Sequence, residues 1–160
     1  MADKIVPCLW FDGDGEEAAR FYVSLLPDSR IDGVHRSPVD TPSGPADSVL
    51  MVEFTLAGRS YLALNGGSAF KFDEAVSFMV MTEDQAETDR LWDALIANGG
   101  QESACGWLKD SWGLSWQITP HRLMELTTDP NRERARAAMQ AMMTMRKIDI
   151  AALDRAVAEI

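Results

Sequence analysis

The chain alternates short apolar runs with amphipathic stretches. Residues 5–11 form an apolar run closed by Asp12-Gly13-Asp14-Gly15, which predicts a buried strand. Ala18, Phe21, Tyr22 and Leu25 then fall at helical spacing, and Pro27-Asp28 stops that helix. Asp14 followed by Glu17 has capping-box spacing. Residues 31–36 read as a weak strand, and the proline-rich stretch 37–47 reads as a loop. Residues 48–56 and 60–65 alternate on either side of Ala57-Gly58, which predicts a hairpin.

The second half repeats this order. Residues 76–81 form another apolar strand, and Thr82 with Gln85 forms another capping-box spacing. Thr88, Leu91, Trp92 and Leu95 make a helical stripe that Asn98-Gly99-Gly100 ends. Two short strands, 105–110 and 114–119, flank Ser111-Trp112-Gly113. A shift of 70 residues superimposes Asp14 on Asp84, Glu17 on Glu87, Arg20 on Arg90, Tyr22 on Trp92 and Leu25 on Leu95. Charged and apolar positions match together, which points to two copies of one βαβββ unit. The expected fold is α+β: two such modules form a curved mixed sheet with helices outside and a concave face within, plus C-terminal helices. The expected divisions are 1–70, 71–128 and a helical tail, 129–160. In the tail, Asp129-Pro130 reads as a helix start, Ala135, Ala138, Met139 and Met142 as a stripe, and Asp149 as the cap of a last helix.

Composition narrows the function. The 160 residues are 46% hydrophobic and 25% charged, as expected of a globular chain. Fifteen basic residues against 25 acidic ones give a net charge of −10, which argues against a nucleic-acid or anionic-lipid surface. The charge is uneven: −12 over residues 1–129 and +2 over 130–160. No run is long and apolar enough to cross a bilayer, and Met1-Ala2-Asp3-Lys4 lacks a signal-peptide pattern. Cys8 and Cys105 lie far apart in sequence. The expectation is a cytoplasmic protein with reduced thiols.

Few motifs carry chemistry. Gly13-Asp14-Gly15-Glu16-Glu17-Ala18 has the form of a dinucleotide fingerprint and of the glycine loop that holds S-adenosylmethionine. Four carboxylates crowd it, however, where a pyrophosphate needs positive potential, so it reads as a capped turn. Asp12-x-Asp14-x-Glu16 lacks the glycine and final glutamate of a calcium loop. His35 and His121 are isolated and read as structural or solvated. Asn65-Gly66-Gly67 ends a strand, and 105–117 is an aromatic-rich hairpin.

The repeat, Leu9-Trp10-Phe11, Phe21-Tyr22, Leu64-Asn65-Gly66-Gly67 and that hairpin together resemble the vicinal oxygen chelate superfamily, the glyoxalase/bleomycin-resistance/dioxygenase fold. Within it the chain resembles the PhnB-like branch named after demethylubiquinone 3-methyltransferase, over nearly its whole length and including the tail at 142–153. The resemblance implies paired modules assembled as a homodimer. It also implies a divalent metal with one ligand near the start of each module and one on each last strand. Carried over, those positions fall on Pro7, Ala63 or Asn65, Ser77 and Gln117, a poor donor set. Neither a metal nor another cofactor is therefore expected.

Strand alternation then fills the expected cleft. Pro7, Leu9 and Phe11, with Ser77, Met79, Met81, Ser115, Gln117 and Thr119, are placed inward. Leu62 and Leu64 are given to the helix side, which turns Tyr61, Ala63 and Asn65 inward, and Met51, Glu53 and Thr55 join them. The expected function is metal-free binding of a small apolar or aromatic molecule by Phe11, Tyr61, Asn65, Ser77, Met79, Trp107, Ser115 and Gln117. The alternative is an enzyme on the same cleft: acid/base chemistry through Glu53, the methyl transfer of the branch name, or a diverged glyoxalase-type lyase or dioxygenase.

Overall fold

Of the first apolar run only β1 (Cys8–Phe11) is strand, and Ile5 stands in solvent. The computed structural model describes residues 3–160. After β1 come α1 (Gly15–Val23), β2 (Arg30–Arg36), β3 (Val49–Leu56) and β4 (Arg59–Asn65). Ala57 and Gly58 both take positive φ, the two-residue turn whose twist suits a hairpin. The sheet order is β1-β4-β3-β2, with β1 parallel to β4 and the other pairs antiparallel. Ala18, Ala19 and Tyr22 of α1 are buried, as are Val52, Phe54 and Leu56 on the sheet face they cover.

The second unit starts at Asp73, after the first ends at Phe72. It contains β5 (Ser77–Thr82), α2 (Gln85–Ile96), β6 (Gln101–Glu102), β7 (Trp107–Lys109) and β8 (Ser115–Pro120). Its sheet order, β5-β8-β7-β6, repeats the first strand for strand, with β5 parallel to β8. The duplication read from residue spacing is therefore the architecture: an α+β fold with two four-stranded mixed sheets.

The helix starts differ from expectation. Asp14 makes no side-chain capping bond; the Gly15 N–H donates instead to Asn65 Oδ1 at 2.8 Å. At α2 the cap is Asp84, whose carboxylate accepts from the Glu87 N–H at 2.8 Å. Thr82 and Gln85 do not form the box that their spacing suggests. The Thr82 hydroxyl is buried against that of Thr88 at 2.7 Å, and Gln85 is committed to the tail.

The tail comprises α3 (His121–Thr127), α4 (Arg132–Met142) and α5 (Ile150–Val157). Leu123, Leu126, Ala138, Ile148, Leu153 and Val157 form its core. Asn131, not Asp129, caps α4, because its Oδ1 reaches the Glu133 and Arg134 N–H groups; Asp149 caps α5 as expected. Backbone and side chains tie the tail to the second module. The Gln85 amide donates to the Ile148 carbonyl and accepts from the Ile150 N–H, while the Cys105 and Gly106 N–H groups donate to the Met145 and Arg146 carbonyls. Lys147 pairs with Asp89 at 2.9 Å and Arg146 with Glu102 at 3.4 Å. The basic tail thus meets acidic residues of its own chain.

Hydrogen bonds from Gln85 and Lys147 hold the Asp89 carboxyl below its ordinary range, and the Trp92 indole does the same for Glu102. Carboxyls depressed in the fold stabilise it fully above their unfolded pKa, and that contribution is lost as pH falls through the folded one. Acidification below the ordinary carboxylate range is therefore expected to weaken hydrogen-exchange protection at the Ile150, Cys105 and Gly106 N–H groups before it weakens the β5–β8 pairing. Simultaneous loss at both places would count against this attachment. No helix among the described residues is long and apolar enough to cross a membrane.

Candidate functional site

Register decides which side chains share a face. In the first unit Phe54 pairs with Tyr61, Val52 with Ala63, Leu9 with Ala63, and Phe11 with Asn65. The Tyr22 ring of α1 lies 6.4 Å from that of Phe54, so this set faces the helix. A Cβ built on Gly15 would stand 2.7 Å from Asn65 Oδ1 and 3.3 Å from Ala63 Cβ, which places the start of α1 on the same face. The opposite face carries Cys8, Leu62, Glu53 and Gly33 in one cross-strand row and Trp10, Leu64, Met51 and His35 in the next.

Phe11, Tyr61 and Asn65 are therefore not on the face expected of them, and Leu9 and Ala63 turn with them. The physical reason is the close seat of α1. Its first turn needs a small side chain and a carboxamide beneath it, so Ala63 and Asn65 lie under it and the bulkier Leu62 and Leu64 take the other side. A one-residue change of phase turns every side chain of a strand over. Met51, Glu53 and Thr55 are on the expected face.

Glu53 is not alone there. Its Oε1 lies 3.1 Å from His35 Nε2, and its side chain is 24% exposed. This corrects the reading of His35 as isolated. His121 likewise pairs, with Glu83 at 3.3 Å. Trp10 seats its indole over Gly66, where an added Cβ would fall 2.3 Å from the ring, and donates from Nε1 to the Gly67 carbonyl at 2.8 Å. The glycine pair thus serves the chain's own tryptophan. Desolvation raises the pKa of the Cys8 thiol, which disfavours the nucleophilic thiolate; both cysteines are free.

In the second unit the expected faces hold. Trp116, Ile118 and Leu108 are buried on the α2 side. The other face carries Ser77, Met79, Met81, Ser115, Gln117 and Thr119, with Trp107 beside Gln117. Gln117 Nε2 donates to Ser77 Oγ at 2.9 Å, which leaves the Gln117 carbonyl oxygen as an acceptor. Asp110, at the hairpin turn, escaped the sequence reading. It is 3% exposed and accepts from the Trp112 and Leu114 N–H groups and the Trp116 indole.

With this geometry in hand, comparison with known proteins is informative. The model of the 3-demethylubiquinone-9 3-methyltransferase family matches residues 3–119. The chain belongs to this PhnB-like family. A PhnB protein from Bacillus cereus, a candidate 3-demethylubiquinone-9 3-methyltransferase, is 32% identical with a TM-score of 0.67, over 74% of this chain and 99% of that one. Two further structures share the fold. Protein PA1353 from Pseudomonas aeruginosa is 21% identical, with a TM-score of 0.60 over 74% of this chain and 98% of its own. The fosfomycin resistance protein FosX from Listeria monocytogenes is 11% identical, with a TM-score of 0.51 over 78% and 98%. Among curated proteins none matches. The PhnB-like match ends within β8, so it does not carry the resemblance expected of the tail.

The metal implied by the wider superfamily does not fit the PhnB-like donor set found here. Pro7 has no side-chain donor, and its carbonyl accepts from the Leu62 N–H. Ala63 has none either, and both ends of the Asn65 amide are engaged, with the Gly15 N–H and the Val49 carbonyl. Among the described residues no three His, Cys, Asp or Glu side chains converge as ligands. The glycine turn before α1 fits S-adenosylmethionine no better. Its first helical N–H goes to Asn65, and no room remains above Gly15.

Proposed function

We propose that this PhnB-like chain binds a small apolar or aromatic molecule against a sheet face turned away from its covering helix, without a metal ion. The observation that supports it best is the make-up of the two faces of this kind. Trp10, Leu64 and Met51 line one, and Met79, Met81 and Trp107 the other, with Gln117 and the Glu53–His35 pair as sparse polar groups. Met79 stays 49% exposed, an unusual place for a large apolar side chain without a partner. The test is mass spectrometry of compounds that co-purify, followed by thermal-shift screening of uncharged aromatic molecules. A stabilising aromatic ligand is expected, and Trp107→Ala should weaken it about tenfold. A broad panel that shifts nothing would remove the proposal, and ligand binding that requires added Zn or Mn would remove its metal-free part.

A second reading follows from the 3.1 Å contact between His35 and Glu53: a carboxylate–imidazole pair suited to moving a proton. Glu53→Gln separates the two. An enzyme using Glu53 loses about a hundredfold or more in turnover while it keeps its affinity, whereas a binder has no turnover to lose and changes its affinity only slightly. The working form proposed is a cytoplasmic homodimer. Light scattering reads the dimer directly, and a monomer at every concentration would remove that part.

A further inference from the structure

The basic residues from 130 onward fall into two groups. Arg134 pairs with Asp129, Arg146 with Glu102 and Lys147 with Asp89. Arg132, Arg136 and Arg155 have no carboxylate partner among the described residues. Arg132 and Arg136 lie four apart on α4, so two like charges share one face, which weakens a helix unless something neutralises them. Glu133, one residue along, pairs with neither. Met139 and Met143 continue the same stripe at helical spacing and are 41% and 58% exposed. Ala138, on the other side of α4, is buried in the tail core, so the tail's own packing does not use the stripe.

The matching charge lies at the β1–α1 turn. Asp12, Asp14 and Glu17 are exposed, and none has an ion pair or side-chain hydrogen bond among the described residues. The positive end of α1 favours carboxylates there but neutralises none of them. The turn stands clear of the fold: a Cβ built on Gly13 would meet nothing within 4 Å. A chain of net charge −10 repels its own copy. Its dimerisation is therefore favoured where unpaired cations meet unpaired anions. Among the described residues, α4 is the one helix that shows two such cations on a face.

We propose that the α4 stripe of one copy docks the acidic β1–α1 turn of a second copy. Arg132 and Arg136 meet Asp12, Asp14 and Glu17, and Met139 and Met143 give the apolar contact that keeps water from those pairs. Methionine suits such a surface because its thioether adapts to what it meets. The proposal rests on the homodimer reading and names the surfaces that join. In a closed dimer the contact forms twice, since each copy carries both surfaces.

The test is sedimentation equilibrium of the full chain at about 50 and about 500 mM NaCl. The parent is expected to dimerise, about tenfold more weakly at the higher salt. Arg132→Glu with Arg136→Glu should weaken the dimer about a hundredfold, and so should Asp12→Lys with Glu17→Lys. The lysine pair is the decisive one. Two charge reversals of +2 each move the net charge from −10 to −6, which would strengthen a dimer joined anywhere else. All four changes together restore the complementarity and should return the affinity to within about threefold of the parent. The positions are exposed, so circular dichroism should show each variant folded as the parent is; Arg132→Gln with Arg136→Gln, which adds no repulsion, should still cost about tenfold. A dimer unaffected by the arginine changes, strengthened by the lysine pair, or not recovered by the combination would each overturn this contact and leave the homodimer standing. A parent that is monomeric at every concentration removes both.

Discussion

Asp110→Ala is expected to destabilise the protein by about 4 kcal/mol. The carboxylate is buried in the β7–β8 turn, where Oδ1 accepts from two backbone N–H groups, at 2.9 and 3.0 Å, and Oδ2 accepts from the Trp116 indole at 2.9 Å. Alanine removes one acceptor group and leaves three donors in need of a partner. Hydrogen bonds to a charged group are worth about 1.5–3 kcal/mol each, and only part of that is recovered when water enters. For a chain of this length the melting temperature should fall by roughly 12 °C. Asp110→Asn keeps the turn acceptor but aims an N–H₂ or a weaker carbonyl at the indole, so about half the loss is expected. Urea unfolding followed by tryptophan fluorescence reads both variants. A loss below about 1 kcal/mol for Asp110→Ala would mean that the turn holds its shape without the carboxylate.

Asn65→Ala should have the next largest effect, about 3 kcal/mol. The Asn65 amide is buried and spans two elements: Oδ1 accepts from the first N–H of α1 at 2.8 Å, and Nδ2 donates to the Val49 carbonyl at 2.9 Å. Both partners are orphaned by alanine, and α1 has no compensating cap, because Asp14 makes no side-chain bond there. Asn65→Asp keeps the acceptor and adds a charge that the helix start favours, yet it turns a carboxylate oxygen toward the Val49 carbonyl, so an intermediate loss is expected. Because Asn65 faces α1, the folded fraction of either variant should bind aromatic ligands as the parent does. A selective loss of ligand affinity with stability intact would return Asn65 to the binding surface.

Much of this molecule was legible in residue spacing, and the failures are instructive. The repeat was visible because helix-facing positions and the charges around them recur together: Tyr22 with Trp92, Leu25 with Leu95, Asp14 with Asp84. The second sheet's faces were legible because Trp116 and Ile118 alternate with Ser115 and Gln117, an unambiguous contrast. In the first sheet both faces are apolar. Leu62 and Leu64 compete with Tyr61 and Ala63, and size alone favours the wrong pair. A sharper signal was present: a two-residue turn at Ala57-Gly58 sets Leu56 opposite Arg59, and hence Phe54 opposite Tyr61. His35 was harder. Its meeting with Glu53 depends on register irregularities in β2, between Ile31 and Gly33 and between His35 and Arg36, which no spacing rule reveals.

In both modules the first strand pairs with the last, β1 with β4 and β5 with β8. Neither sheet can therefore close until its fourth strand has been made, and each closure spans a long stretch of chain, which slows folding. On the ribosome this sets an order. The first module has all its strands once Asn65 has emerged, before any strand of the second sheet exists. It can condense alone, as N-terminal units generally do during synthesis. The second sheet then closes at Pro120, and the helices that follow bury their own core and fasten to Gln85 last. The repeated strand order in this way divides one folding problem into two shorter ones, met in succession as the chain is made.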